Sequence, residues 1–383
     1  MMATTALTGA RIFDGAVWHD EGAVLIGGGR ILGIVARADI PADATVDRVE
    51  GGLLVPGFID AQVNGGGGVL LNDAPTARSM ERISQAHRRF GTCRLLPTLV
   101  TTDAAGLDSA LAAARQAGEG VLGLHLEGPH LSPARRGVHD DRLMRPMTDS
   151  DVDRLLSAGL PRLLLTVAVE QAQPAQVRRL VEGGVIVSLG HSDATYEQAM
   201  ALIEAGASGA THLFNAMSPL QSRTPGLVGA ALEAGSVWCG VIADGIHVAP
   251  AALRIALRAK RPPGRLFLVT DAMPSVGSTA DSFVMEGRVV SRRGNRLTWT
   301  DEAGNDVLAG AHLDMASAVR FCVDQLDVPL EEALRMASLY PATFLRLDSA
   351  HGRIARGYAA DIVHLDENLE VRRTWVAGAG SPA

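Results

Sequence analysis

Eight short apolar runs recur along this chain, and each of them ends in, or runs straight into, polar residues. They read FIDAQVN, CRLLPTLV, VLGLHLEGPH, LLLTVAVE, VIVSLGHSD, GATHLFNAM, WCGVIADGIH and LFLVTDAM. All are rich in Val, Leu and Ile. Most are followed by a stretch whose apolar residues fall three and four apart, the period of a helix buried on one side. ARSMERISQAHRRF, PAQVRRLVEGG and APAALRIALRAK are examples. Ser150 and Asp193 precede two such stretches and are the expected N-caps. Eight strands alternating with helices predict an α/β protein, a (β/α)8 TIM-like barrel. Such a barrel carries its chemistry at the C-terminal ends of its strands, where the polar endings fall.

The two ends of the chain have a different texture. Residues 1–54 alternate apolar and polar positions, with Gly and Asp at the turns, and GYAADIVHLDENLEVRRTWVAG near the other end does the same. The expected division is a small discontinuous β-sandwich from residues 1–54 and 352–383, flanking a barrel over 55–351. The segment SFVMEGRVVSRRGNRLTWTDEAGNDV breaks the strand–helix alternation. Its RRGN and DEAGN turns predict a β-hairpin inserted after the eighth strand.

Composition narrows the function classes. The chain has 383 residues, nearly half of them hydrophobic, with a net charge of −7 and no basic block. That balance argues against nucleic acid or an anionic membrane as the main partner. No apolar run approaches the ~20 residues of a spanning helix, and MMATTALTGARIFDG does not read as a signal peptide. Cys93, Cys239 and Cys322 have no metal-type or redox-type spacing and read as reduced thiols of a cytoplasmic protein. Lys260 is the single lysine, at the end of a helical stretch and just before a strand. A carboxylated lysine bridging two metals must stand at a strand's far end, so that type of site is disfavoured.

Three strand endings carry ligand-grade side chains. Glu127 ends the third run, His191 the fifth, and His212 lies on the sixth. One carboxylate and two imidazoles at neighbouring mouths form a plausible facial metal set with open positions for water and substrate. Zn²⁺ suits that set, and Fe²⁺ suits it almost as well. Asp271, held at the mouth of the eighth strand, is a candidate ligand or general base. His125 shares the side of its strand with Glu127 and reads as a core histidine beneath it. His139 and His247 could contact a polar substrate. Asn215 and Arg223 lie in a loop suited to an anion, although a lone loop arginine is more often solvated surface charge.

The set PGFIDAQVNG, HLEGPHL, GHSDAT, THLFNAM, ADGIHV, TDAM, LAGA and RMASLYPA resembles the N-acetylglucosamine-6-phosphate deacetylases of the amidohydrolase superfamily. The likeness runs in order over nearly the whole chain. It implies hydrolysis of the acetamide of a sugar phosphate by a homodimer. By motif, Glu127, His191 and His212 would bind the metal. Asp271 would activate the water and then protonate the leaving amine. His139 would meet the substrate carbonyl. His247, Asn215 and the backbone at Ala216 would hold sugar and phosphate, and Arg223 would reach a phosphate across the dimer interface. Gln62 and Asn64 replace the pair of histidines usual in the superfamily, which implies one divalent metal per subunit, since neutral amides are poor ligands for a second. His312 in LAGAHLDM stands where the family more often has a small or hydroxyl residue, in a segment expected near the sugar. Alternatives are a deacetylase for N-acetylgalactosamine 6-phosphate, another amidohydrolase, or a sugar-phosphate-binding protein without activity.

Overall fold

The structure is a computed structural model that describes residues 4–301 and 304–383. All eight apolar runs form strands: Phe58–Val63, Thr92–Val100, Leu124–Glu127, Leu163–Val167, Ile186–Leu189, Gly209–Ala210, Trp238–Val241 and Leu266–Leu268. They lie side by side in sequence order, every neighbouring pair parallel. Parallel strands covered on both faces need no polar alternation, and every residue of Thr92–Val100 is buried.

The ring closes where its first and last strands meet. Val63 bridges Ala272 in parallel, and the Asp271 N–H donates to the Gln62 carbonyl at 3.0 Å. Asp60, fully buried, accepts the Thr270 hydroxyl at 2.5 Å and the Thr270 N–H at 3.3 Å. This carboxylate joins the two strands from inside. Its burial pushes its pKa up to about 7, against the pull of the Thr270 hydroxyl.

Helices surround the ring. Thr148 and Thr195 cap two of them, each in a reciprocal box with Asp151 or Gln198 three residues on. The expected caps Ser150 and Asp193 are not caps. Ser150 lies inside the first turn, and Asp193 pairs instead with Arg135 at 2.7 Å. Lys260 ends the helix before the eighth strand, with its ammonium on the carbonyls of Ala234 and Arg261. It stands away from the strands' C-terminal ends.

Strands from both ends of the chain share one six-stranded sheet, in which Leu53–Pro56 pairs antiparallel with Ile362–Leu365. A four-stranded sheet of residues 4–48 faces it. Leu7, Ile12, Leu54, Ile362 and Trp375 fill the space between. Arg94 of the second barrel strand grips Asp361 with two bonds, of 2.7 and 2.8 Å, and so ties barrel to sandwich.

The insertion is larger than a hairpin. Ser282–Met285, Arg288–Arg293, Arg296–Thr300 and Asp306–Leu308 make a four-stranded antiparallel sheet. Glu302 and Ala303 of the expected DEAGN turn lie outside the described residues. Met285, Val290 and Leu297 pack on Leu70, Val100 and Met273 at the barrel mouth, so the sheet covers that mouth from one side.

Candidate active site

The third strand alternates Leu124, His125, Leu126, Glu127, which turns His125 and Glu127 to one side. Glu127 reaches the mouth. Its Oε1 lies 2.9 Å from His212 Nε2 and 3.2 Å from His191 Nε2, and the two imidazole nitrogens are 3.1 Å apart. Three ligand-grade atoms thus form a triangle with sides of 2.9–3.2 Å. A tetrahedral ion at 2.0–2.1 Å from each donor spaces them about 3.3 Å apart, so the donor set fits a divalent cation.

The backbone is shaped to bring them together. His191, His212 and Asp271 have φ of 49°, 32° and 51°, and Ala216 has 50°. Each residue in that left-handed region costs of order 1 kcal/mol or more, which the surrounding structure must offset. His191 Nδ1–H donates to the Arg135 carbonyl at 2.8 Å, which leaves the lone pair on Nε2, facing Glu127.

A wider triangle of Glu127, His139 and His191, with donor atoms within 4.8 Å, includes a fourth residue. His139 is in the opposite tautomer. Its Nδ1 accepts the Thr101 N–H at 3.3 Å and faces the Thr101 hydroxyl at 2.9 Å, so its proton sits on Nε2. That makes His139 a donor toward the pocket and the poorer ligand. Burial, then the charge of His191, lowers its pKa to about 3 and keeps it neutral. His125 lies below, between Thr98 and Thr166, a core histidine whose pKa burial lowers to about 4.

Asp271 faces the triangle. Its Oδ1 accepts from Asn64 Nδ2 at 2.7 Å and from Gln62 Nε2 at 3.2 Å, and the same Gln62 nitrogen donates to Glu127 Oε1 at 3.1 Å. The two amides that replace histidines therefore hold two carboxylates in register. Burial, reinforced by the Glu127 charge, pushes the Asp271 pKa up to about 6. Burial also opposes charge on Glu127, but the adjoining imidazoles of His191 and His212 outweigh it and hold that carboxyl well below its usual range.

Asn64, Glu127, His139, His191, His212 and Asp271 line one pocket of about 410 Å³, together with Asn215, Ala216 and His247 of the same chain. His247 Nδ1–H donates to Asp244 at 2.6 Å, fixing its ring. Arg223 is not brought into this pocket. It is exposed and lines a separate cavity of about 250 Å³ with Asp193, Tyr196 and Thr224. His312 does not line the pocket either. It donates from Nδ1 to Ser275 at 2.9 Å and accepts from Arg292 at 3.1 Å, a tie to the inserted sheet. Conversely, Met285, Arg296 and Asp306 of that sheet do line the pocket. No local pattern marks them, because their approach depends on how the insertion folds back over the mouth. A larger, more polar cleft of about 870 Å³ lies between the insertion and residues 136–142, away from the triangle.

Residues 53–379 match the model of the amidohydrolase family. The chain belongs to that family. Among its relatives, an N-acetylgalactosamine-6-phosphate deacetylase from Shewanella sp. (strain ANA-3) is 43% identical, covering 97% of this chain and 94% of its own length. An N-acetylglucosamine-6-phosphate deacetylase from Haemophilus influenzae is 34% identical, covering 93% of each. The crystal structure of N-acetylglucosamine-6-phosphate deacetylase from Pasteurella multocida superposes with a TM-score of 0.94 at 34% identity, over 99% of this chain and 100% of that one. This amidohydrolase is thus a member of the amino-sugar-phosphate deacetylases. Among its described residues no helix is long and apolar enough to cross a membrane.

Proposed function

We propose that this amidohydrolase hydrolyses the acetamide of N-acetylglucosamine 6-phosphate to glucosamine 6-phosphate and acetate. The convergence of Glu127, His191 and His212 within 3.2 Å, with Asp271 facing them, carries the reading. Those three side chains would hold one divalent cation, Zn²⁺ before Fe²⁺. When bound, such an ion supplies an acidified water and polarises the acetamide carbonyl.

The remaining work falls to the chain. Asp271 takes the proton of the attacking water and delivers it to the departing nitrogen, since an unprotonated amine leaves poorly. A carboxyl whose pKa is raised toward neutrality is suited to both transfers. Asn64 and Gln62 keep its Oδ1 in place. His139 Nε2–H donates to the carbonyl oxygen as charge builds there. Asn215, the Ala216 backbone and His247 hold sugar and phosphate. Arg223 serves the pocket of a neighbouring subunit in a homodimer, since its own chain keeps it outside. The buried free thiols Cys93, Cys239 and Cys322 fit a reducing cytoplasm.

The Shewanella relative favours a second reading, the galactosamine epimer. The test is acetate release by Zn²⁺-loaded protein from both 6-phosphates and from unphosphorylated N-acetylglucosamine, with metal content measured alongside. Release from N-acetylglucosamine 6-phosphate above the other two, at one ion per chain, is expected. Preference for the epimer would replace the substrate. No release from any of them with metal bound would discard the deacetylase reading.

A further inference from the structure

A sugar phosphate brings a dianion into a pocket already lined by Glu127, Asp271 and Asp306. Among the described residues lining it, Arg296 is the one arginine or lysine. It lies on the inserted sheet, just after the RRGN turn, and is exposed.

The register of that sheet puts it there. Arg296 pairs with Arg293 across the turn, and the next carbonyl, Leu297, accepts the Ala309 N–H at 3.2 Å. Beyond Gly310, the Ala311 N–H donates to the Asp271 carbonyl at 2.9 Å, and the Ala311 carbonyl accepts from Met273 at 3.0 Å. The insertion is thus hydrogen-bonded to the end of the eighth strand. Arg296 rides on the strand next to this seam, beside Gly310, which also lines the pocket.

Two neighbouring arginines of the insertion are committed elsewhere. Arg288 lies over the Trp299 ring at 4.1 Å, and Arg292 binds Asp281 at 2.5 Å and His312 at 3.1 Å. Arg296 forms no ion pair among the described residues. A guanidinium so placed offers a planar fork to phosphate oxygens.

We propose that Arg296 binds the substrate phosphate within its own chain, making the insertion a cover that selects phosphorylated sugars. This rests on the deacetylase reading above. It differs from the part given to Arg223, which would act between subunits.

The test compares wild type, Arg296→Gln and Arg296→Lys, all Zn²⁺-loaded. Each is assayed on N-acetylglucosamine 6-phosphate and on N-acetylglucosamine, with inorganic phosphate as inhibitor. In Arg296→Gln the preference for the phosphorylated sugar should fall roughly 10- to 100-fold, the worth of a charge-assisted contact, with KM taking most of the loss. The inhibition constant of inorganic phosphate should rise with it, and Arg296→Lys should recover part of both. Unchanged preference and unchanged phosphate inhibition in a folded, metal-loaded Arg296→Gln would remove Arg296 from phosphate binding and leave the deacetylase reading standing. A wild type that deacetylates both sugars equally would overturn the phosphate-ester reading and this role together.

Discussion

Asn64 donates its side-chain amide to Asp271 across 2.7 Å, the shortest contact the Asp271 carboxylate makes with its two amide neighbours. A donor of this kind favours the charged form of its partner. Burial and Glu127 push the other way. Asn64→Leu removes the donor and keeps the volume. The acid limb of kcat/KM against pH should then move upward by about one unit, the equivalent of one hydrogen bond to a charged group. A pH profile checks this; an unmoved limb would mean that Asn64 only fills space.

Asp271→Asn keeps the shape and loses the proposed proton carrier. Turnover should drop by about 10²- to 10⁴-fold. Metal content and thermal midpoint should match wild type, because Glu127, His191 and His212 keep their triangle. Near-normal turnover in a metal-loaded variant would take the proton shuttle away from Asp271.

Arg223 lies outside the pocket of its own chain, so its effect should depend on assembly. Arg223→Ala should raise KM for the phosphorylated sugar roughly 10-fold, as for a lost partly exposed charged contact. Mixing it with an Asp271→Asn chain should restore activity above either parent if subunits share sites. Sedimentation and mixed-chain kinetics test this, and a fully active Arg223→Ala enzyme would leave that arginine as surface charge.

The Arg94–Asp361 pair makes stability depend on pH. Burial would raise the Asp361 pKa, but hydrogen bonds from His351 and Arg94 bring it down to about 2 from an ordinary 3.8. The folded value lies below the unfolded one. The stabilisation is therefore complete above the ordinary carboxylate range and drains as pH falls from about 4 through about 2, about 2 kcal/mol in all. Asp361→Asn should be less stable than wild type by about 3 kcal/mol near neutrality, and the gap should narrow by about 1 kcal/mol at pH 3. Urea unfolding at the two pH values measures it; a constant gap would deny the linkage.

Much of this was legible in the residues. The eight strands were, because buried parallel strands keep nearly unbroken apolar runs. The helix Gly226–Glu233 was not among those expected: seven of its eight residues are buried, so no polar face marks its period. The sixth strand shrinks to Gly209–Ala210, because His212 turns into left-handed backbone, which a composition pattern does not reveal. Glu127, His191, His212 and Asp271 were readable as strand endings. Gln62 and Asn64 were readable as missing histidines, but not as donors to two carboxylates, since that depends on the ring being closed. Arg296 and the turning away of His312 follow from an insertion whose register lies in no local motif.

The junction of the first and last strands has a temporal consequence. Asp271 is bound to strand one through Gln62 and Asn64, and to the insertion through Ala311. A nascent chain that has emerged only through His212 already owns all three members of the Glu127 triangle. It has no Thr270 to meet Asp60, and the edge of its first strand is open. With Asp271 as the proposed proton carrier, hydrolytic competence and the sealing of that edge would arrive in one event during synthesis, and a half-made chain would stay inactive until it is also protected from aggregation.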